Sequence, residues 1–239
     1  MSLSGKRVVV IGGTSGIGFA VAELAQQQGA EVVVVSSSAA KVDKAKSRLQ
    51  GKATGHAVDL SKEEAIKTLF DQIGAFDHLV YTAGDPLALE ELAVVDLQKA
   101  RLQFDVRYWG AVSAVKYGGP KIRSGGSIVL SSGMASRKPR KTWTITSSIC
   151  GAMEALTRAL AVELAPLRVN LVCPGLVKTE LWDGMPDANR KAMYDRAAST
   201  LPAAHAGEAT EVAEAYVYLM KAGFTTGSVN VVDGGASLV

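Results

Sequence analysis

Val8-Val9-Val10-Ile11-Gly12-Gly13-Thr14-Ser15-Gly16-Ile17-Gly18 is the stretch that decides the fold of this chain. Its first four residues are a short β-branched apolar run, the mark of a strand buried on both faces. A glycine-rich turn follows, and then Ile17, Ala20, Val21 and Leu24 recur at the spacing of one helix face. Gly29 is placed to end that helix, since glycine enters the left-handed region after a last turn without a Cβ penalty. Glycine between a strand and a helix lets the backbone turn tightly and approach a pyrophosphate. The N-terminus of the helix then offers free N–H groups and the positive end of its dipole. This context assigns Gly12, Thr14, Ser15, Gly16, Ile17 and Gly18 to a dinucleotide-binding loop; outside it, the same glycines would make only a tight structural turn.

Strand and helix patterns alternate outward from this unit. Further strands are predicted at residues 32–35, 53–58, 79–81, 127–130, 169–172 and 229–232. Helical patterns cover residues 39–49, roughly 97–117 and 147–164, and Ser61-Lys62-Glu63-Glu64 reads as a capping box before another helix. Such alternation predicts an α/β fold, a doubly wound parallel sheet in one domain spanning residues 1–239. Residues 177–207 are irregular and carry Pro186 and Pro202, so they read as a substrate lid.

Composition narrows the function classes. With 239 residues and 48% hydrophobic content the chain can build one large core, and a net charge of only +3 does not point to nucleic acid. Cys150 and Cys173 are too few for a disulfide framework, which favours a reducing, cytoplasmic setting. There is no signal-peptide pattern at the start, and no apolar run reaches the roughly 18 residues of a membrane span. His56, His78 and His205 lack ligand-like spacing, so no metal is expected, and His78 reads as structural.

The spacing Gly12-xxx-Gly16-x-Gly18 resembles the short-chain dehydrogenase/reductase family, and the likeness runs along the whole chain. Val58-Asp59-Leu60 resembles the family's adenine-contacting turn, which implies cofactor roles for Asp59 and Leu60. Tyr81-Thr82-Ala83-Gly84 resembles its Asn-Asn-Ala-Gly turn with both asparagines replaced, implying roles for Thr82, Ala83 and Gly84. Pro174-Gly175-Leu176-Val177-Lys178-Thr179 resembles the nicotinamide-side loop, implying roles for Pro174, Gly175, Leu176, Val177 and Thr179. Val232-Asp233-Gly234-Gly235 resembles the end of the last strand. The resemblance implies a Rossmann fold with a seven-stranded parallel sheet and helices on both faces. The second strand ends in Ser36-Ser37-Ser38 without a carboxylate. An acidic residue there selects NAD by holding the ribose 2′-hydroxyl, so three hydroxyls and nearby Lys41 favour NADP(H). Serine also favours helix N-caps, and an N-cap is itself an anion site.

Family members carry an Asn-Ser-Tyr-Lys tetrad, and here the resemblance implies four departures. Phe104-Asp105-Val106-Arg107-Tyr108-Trp109-Gly110 puts Arg107 at the asparagine position. The run from Ala155 to Pro166 sets a register that puts Thr146 at the tyrosine position and Cys150 at the lysine position. Gly133 falls at the serine position with Ser132 beside it. Cys150 reads as helix packing more readily than as a nucleophile. Arg107 fits a carbonyl-polarising, carboxylate- or ribose-binding role, and equally a surface arginine paired with Asp105 or a partner chain. Arg107, Ser132 and Thr146 are the candidate catalytic residues. Leu181, Trp182, Met185, Met193 and Tyr194 are placed to line an apolar pocket or to pack the lid down, and Tyr194 is a further candidate proton donor. The basic run Arg137-Lys138-Pro139-Arg140-Lys141 reads as a solvated loop or as a receptor for an anionic substrate. Apolar residues at Val106, Trp109, Val112 and Val115, then Ile149, Met153, Leu156 and Leu160, favour a homodimer or homotetramer through these two helices. The expected function is an NADP(H)-dependent oxidoreductase acting on a small-molecule carbonyl compound, such as an activated dione or quinone. The alternative is an NADP(H)-binding sensor that has lost the chemistry.

Overall fold

Nine short strands and eight α-helices organise the residues described by the computed structural model, 2–49, 53–84 and 89–239. The first half runs β1 (Arg7–Ile11), α1 (Gly16–Gln27), β2 (Glu31–Ser36), α2 (Ala39–Arg48), β3 (Ala53–Ala57), α3 (Glu63–Ile73) and β4 (Phe76–Tyr81). The second runs α4 (Leu97–Phe104), α5 (Gly110–Gly118), β5 (Ile122–Ser131), α6 (Thr144–Glu163), β6 (Arg168–Pro174) and β7 (Val177–Lys178). It closes with α7 (Asp187–Thr200), β8 (Gly207–Glu208), α8 (Ala209–Lys221) and β9 (Val229–Val232). Seven strands form one parallel sheet in the order β3-β2-β1-β4-β5-β6-β9.

The continuous apolar runs follow from two covered faces. Strand side chains alternate in direction, so Val8, Val10, Val32 and Val34 enter the layer under α1 and α8. Val9, Ile11, Val33 and Val35 enter the opposite layer with Phe70 of α3, Ala114 of α5 and Met153 of α6. All eight strand residues are fully buried. Gly29, at φ +86°, ends α1 as expected. The strand order reverses beside β1, which pairs with both β2 and β4. In a doubly wound sheet the crevice at that switch point, beyond the strands' C-terminal ends, is where ligands bind.

Several local expectations change. The apolar pattern captures only the end of β4, because its first half contains the buried polar residues Asp77 and His78. Asp77 accepts hydrogen bonds from Lys6, the Arg7 backbone N–H and Arg123. Burial alone would raise its carboxyl, but these donors outweigh it and hold the group below its ordinary value. His78 lies 2.9 Å from the Ser127 hydroxyl, and burial pushes it down to about 4, so it is a neutral structural group at neutral pH.

Ser61 does not cap α3. Its N–H and hydroxyl both bond the Asp59 carboxylate, and Lys62 occupies the N-cap without a side-chain bond. A capping box occurs instead at α8, between Glu208 and Glu211. Residues 97–117 are not one regular helix: a π-helical turn at Asp105–Trp109 separates α4 from α5. Helix α6 starts at Thr144, three residues before the position expected. Val115, Ile149 and Met153 are buried in the core and are unavailable to a partner chain, whereas Trp109 is 57% exposed.

Candidate functional site

The β1–α1 loop approaches other backbone too closely for side chains. A Cβ on Gly12, which sits at φ +85°, would lie 2.6 Å from the Ala83 nitrogen. One on Gly18 would lie 2.2 Å from the Gly12 carbonyl oxygen and 2.4 Å from Thr82 Oγ1. The Thr82 N–H and hydroxyl both donate to Ile11 O, at 2.8 and 3.0 Å, which locks the turn after β4 against the loop after β1. Ser15 is the N-cap of α1 but makes no side-chain cap bond, so its hydroxyl does not occupy the first N–H groups of that helix.

A cleft of about 960 Å³ opens along this loop at the strands' C-terminal ends. Gly12, Thr14, Ser15, Gly16, Ile17 and Gly18 form one wall, joined by Thr82, Ala83 and Gly84. Asp59 and Leu60 line it beyond β3, and Pro174, Gly175, Leu176, Val177 and Thr179 beyond β6. The Asp59 carboxyl is held below its ordinary value by the two Ser61 bonds. Ser36, Ser37 and Lys41 lie at the end of β2 on the same wall. Ser38 does not: its hydroxyl accepts from Lys41 N at 3.4 Å and caps α2, so its tie to the cleft is through the helix end.

The cleft continues to the three candidate catalytic residues. Arg107 comes from the π-helical turn, an element frequent at functional sites because it redirects side chains within a helix. Its guanidinium lies against Gly84, where a Cβ would sit 2.5 Å from Arg107 Cζ. The neighbouring Val106 carbonyl accepts a hydrogen bond from the Tyr81 hydroxyl, which anchors the turn to β4. Ser132 follows β5; its N–H donates to Val172 O at 3.0 Å and its hydroxyl to Cys150 O at 3.0 Å. Thr146 and Cys150 lie one turn apart on α6, and both line the cleft. Thr146 is buried, and among the described residues its hydroxyl has no hydrogen-bond partner. Burial pushes the Cys150 thiol up, against weaker lowering by Ser132 and Arg107. Burial likewise pushes Cys173 up to about 12, so neither thiol is an activated nucleophile. A Cβ on Gly133 would meet only Cys150 Sγ, at an ordinary 3.5 Å.

Leu181, Trp182, Met185 and Met193 line the cleft as expected, but Tyr194 does not, which removes it as a proton donor there. The basic loop divides. Arg137 donates to both oxygens of the buried Glu154, while Lys138 and Arg140 reach the cleft wall. Lys141 pairs at 2.6 Å with Glu91. Met134, Trp143 and Met153 are cleft residues that the pattern of the chain did not reveal, since each reads locally as loop or core. Among the described residues no cluster of His, Cys, Asp and Glu is placed to hold a metal, and no helix is long and apolar enough to cross a membrane.

Known proteins share this arrangement. Residues 2–239 match the family model described as an SDR-like Rossmann domain. The short-chain dehydrogenase/reductase ATR9 of Stachybotrys chlorohalonatus is 37% identical, over 99% of each chain. A small-chain dehydrogenase solved in complex with NADPH is 39% identical, covers 99% of this chain and 100% of its own, and superposes with a TM-score of 0.86. The MalC reductase/Diels-Alderase of Malbranchea aurantiaca is 32% identical, with 99% and 98% coverage and a TM-score of 0.93. With the glycine cradle, the seven-stranded sheet and matches over essentially the entire length, this chain belongs to the short-chain dehydrogenase/reductase family.

Proposed function

We propose that this protein is an atypical NADP(H)-dependent oxidoreductase that reduces a small-molecule carbonyl compound without the family's Asn-Ser-Tyr-Lys tetrad. The observation that carries this reading is one continuous cleft running from the glycine cradle to Arg107, Ser132 and Thr146. The cradle fits a dinucleotide, because the volumes that Cβ atoms would fill at Gly12 and Gly18 are closed by backbone and leave the α1 N-terminus open to phosphates. Ser36, Ser37 and Lys41 would receive a 2′-phosphate, with no carboxylate among them to repel it. NADPH supplies a hydride to the carbonyl carbon when bound.

The rest is the work of this chain's residues. Negative charge develops on the carbonyl oxygen as its π pair moves there, and the Arg107 guanidinium stabilises that charge without giving up a proton. Thr146, on the cleft wall, would turn to the same oxygen a buried hydroxyl that has no hydrogen-bond partner among the described residues. The Ser132 hydroxyl donates to Cys150 O and keeps its lone pairs for a relay. Solvent supplies the proton, since a threonine hydroxyl has no useful acidity near neutral pH. The family resemblance of the surrounding sequence implies the tetrad positions for Arg107, Gly133, Thr146 and Cys150.

Residues 177–207 act as the lid, pinned at its base where Val177 of β7 pairs with Gly207 of β8. Exposed Trp109, with half-buried Val112, Leu156 and Leu160, supports pairing of two or four copies through α5 and α6. Two buried free cysteines suit a cytoplasmic setting.

The test combines dissociation constants for NADPH and NADH at one ionic strength with NADPH consumption on diones and quinones. Tighter NADPH binding is expected, and Ser37→Asp should narrow or reverse the preference. Tight NADPH binding with no turnover on any substrate would instead make the protein a sensor.

A further inference from the structure

The walls of the cleft beyond Arg107 are unusual in composition. Of the six methionines in the chain, Met134, Met153, Met185 and Met193 line it, as do two of the three tryptophans, Trp143 and Trp182. They come from two separate parts of the fold. Met134, Trp143 and Met153 belong to the segment from the end of β5 into α6, whereas Trp182, Met185 and Met193 follow β7 and continue into α7. Each of the two segments therefore contributes one indole and at least one methionine to the lining of the cleft.

Both indoles are held in place. Trp182 Nε1 donates to the Val177 carbonyl at 2.9 Å, which ties the ring to β7. The Arg140 guanidinium lies 5.3 Å from the centre of the Trp143 ring, within cation–π range. Rigid indoles favour flat π systems, and methionine adapts to irregular outlines while making favourable sulfur contacts with ring edges. Arg107 and Thr146, whose hydroxyl has no hydrogen-bond partner among the described residues, line the same cleft, as do Lys138, Arg140 and Arg196.

We infer that the substrate is a flat, fused-ring aromatic carbonyl compound, held between the Trp143 and Trp182 walls with its carbonyl edge toward Thr146 and Arg107. This inference rests on the oxidoreductase reading for turnover, but the aromatic clamp is a property of the walls alone.

Isatin and camphorquinone separate the two ideas. Both are vicinal dicarbonyls on a bicyclic skeleton; isatin is flat and aromatic, camphorquinone globular and saturated. NADPH consumption should favour isatin at least tenfold in kcat/KM. Trp143→Leu and Trp182→Leu keep an apolar wall but remove the π face, and each should reduce that ratio about fivefold, chiefly through the KM for isatin. A wild-type ratio near one, or a ratio that neither substitution moves, overturns the aromatic class while leaving the oxidoreductase reading intact. If neither dione is consumed, calorimetric titration of isatin into the NADPH-saturated protein decides. Binding that both substitutions weaken supports the clamp without the chemistry, and no binding, or binding indifferent to them, removes it.

Discussion

The two ends of the cleft are built differently. At the nucleotide end, backbone sets most of the shape: the Gly12 and Gly18 positions have no room for a Cβ because the neighbouring atoms are backbone of Gly12, Thr82 and Ala83, joined at Gly18 by the Thr82 hydroxyl. At the reaction end, side chains from four separate segments make the surface, and Gly133 has ordinary space around it. Backbone-built shape tolerates almost no substitution, since relieving a clash means moving a strand or a helix. Side-chain-built chemistry can drift one residue at a time while the fold stays intact. On the reading proposed above, that difference explains how the glycine loop keeps the family pattern while Arg107, Gly133, Thr146 and Cys150 depart from it.

The largest effect that would break this comparison is expected from Gly18→Ala. The new methyl falls 2.2 Å from a carbonyl oxygen that belongs to the loop itself. Overpacking of this kind costs about 1–3 kcal/mol, and the displaced loop should weaken NADPH binding about 100-fold. Calorimetry reads both the affinity and the melting temperature, and an unchanged Kd would show that the loop is not a rigid cradle.

Arg107→Ala comes next. Loss of one fixed transition-state donor should lower kcat about 100-fold with the NADPH Kd nearly unchanged. A weakened Kd with kcat preserved at saturation would move Arg107 into the cofactor-holding half. Were neither to change, the guanidinium would lie outside the reaction altogether.

Thr146→Val sharpens the contrast further. Valine matches threonine in shape and deletes a buried hydroxyl that has no partner among the described residues. Removing such a group should leave stability unchanged or raise it by about 1 kcal/mol, while kcat falls about tenfold. A drop in melting temperature would mean that the hydroxyl serves the fold rather than the substrate.

The smallest effect belongs to Gly133→Ala, the same chemical change as Gly18→Ala made at the other end. Gly133 has an extended backbone, and its Cβ would rest 3.5 Å from Cys150 Sγ. Stability should stay within about 0.5 kcal/mol and NADPH affinity within twofold. Damage comparable to that of Gly18→Ala would erase the distinction between the two ends.

Legibility in the sequence follows the same division. The strand–glycine–helix unit was readable because every part of it lies within 18 consecutive residues, and the cofactor positions read from it all reach the cleft. Ser38 misled because serine serves equally as a helix cap and as an anion ligand, and here it caps α2. Tyr194 misled because α7 offers several faces, and its neighbour Met193 is the one that lines the cleft. The capping box was placed at Ser61 by residue type, but Asp59 lies two residues away and captures that hydroxyl. Glutamate, a poorer cap former by type, holds the start of α8 instead.

By itself the sequence determined the layered fold, the dinucleotide-binding loop and the family resemblance, because strand and helix periods and glycine turns act over short distances along the chain. Only the tertiary structure decided which side chains line the cleft. Arg107 reaches the cleft from a π-helical turn between α4 and α5, the buried Thr146 hydroxyl has no hydrogen-bond partner among the described residues, and Trp143 and Trp182 reach the same cleft from positions nearly 40 residues apart. These are relations between distant parts of the chain, set by packing against the sheet, and no local pattern records them.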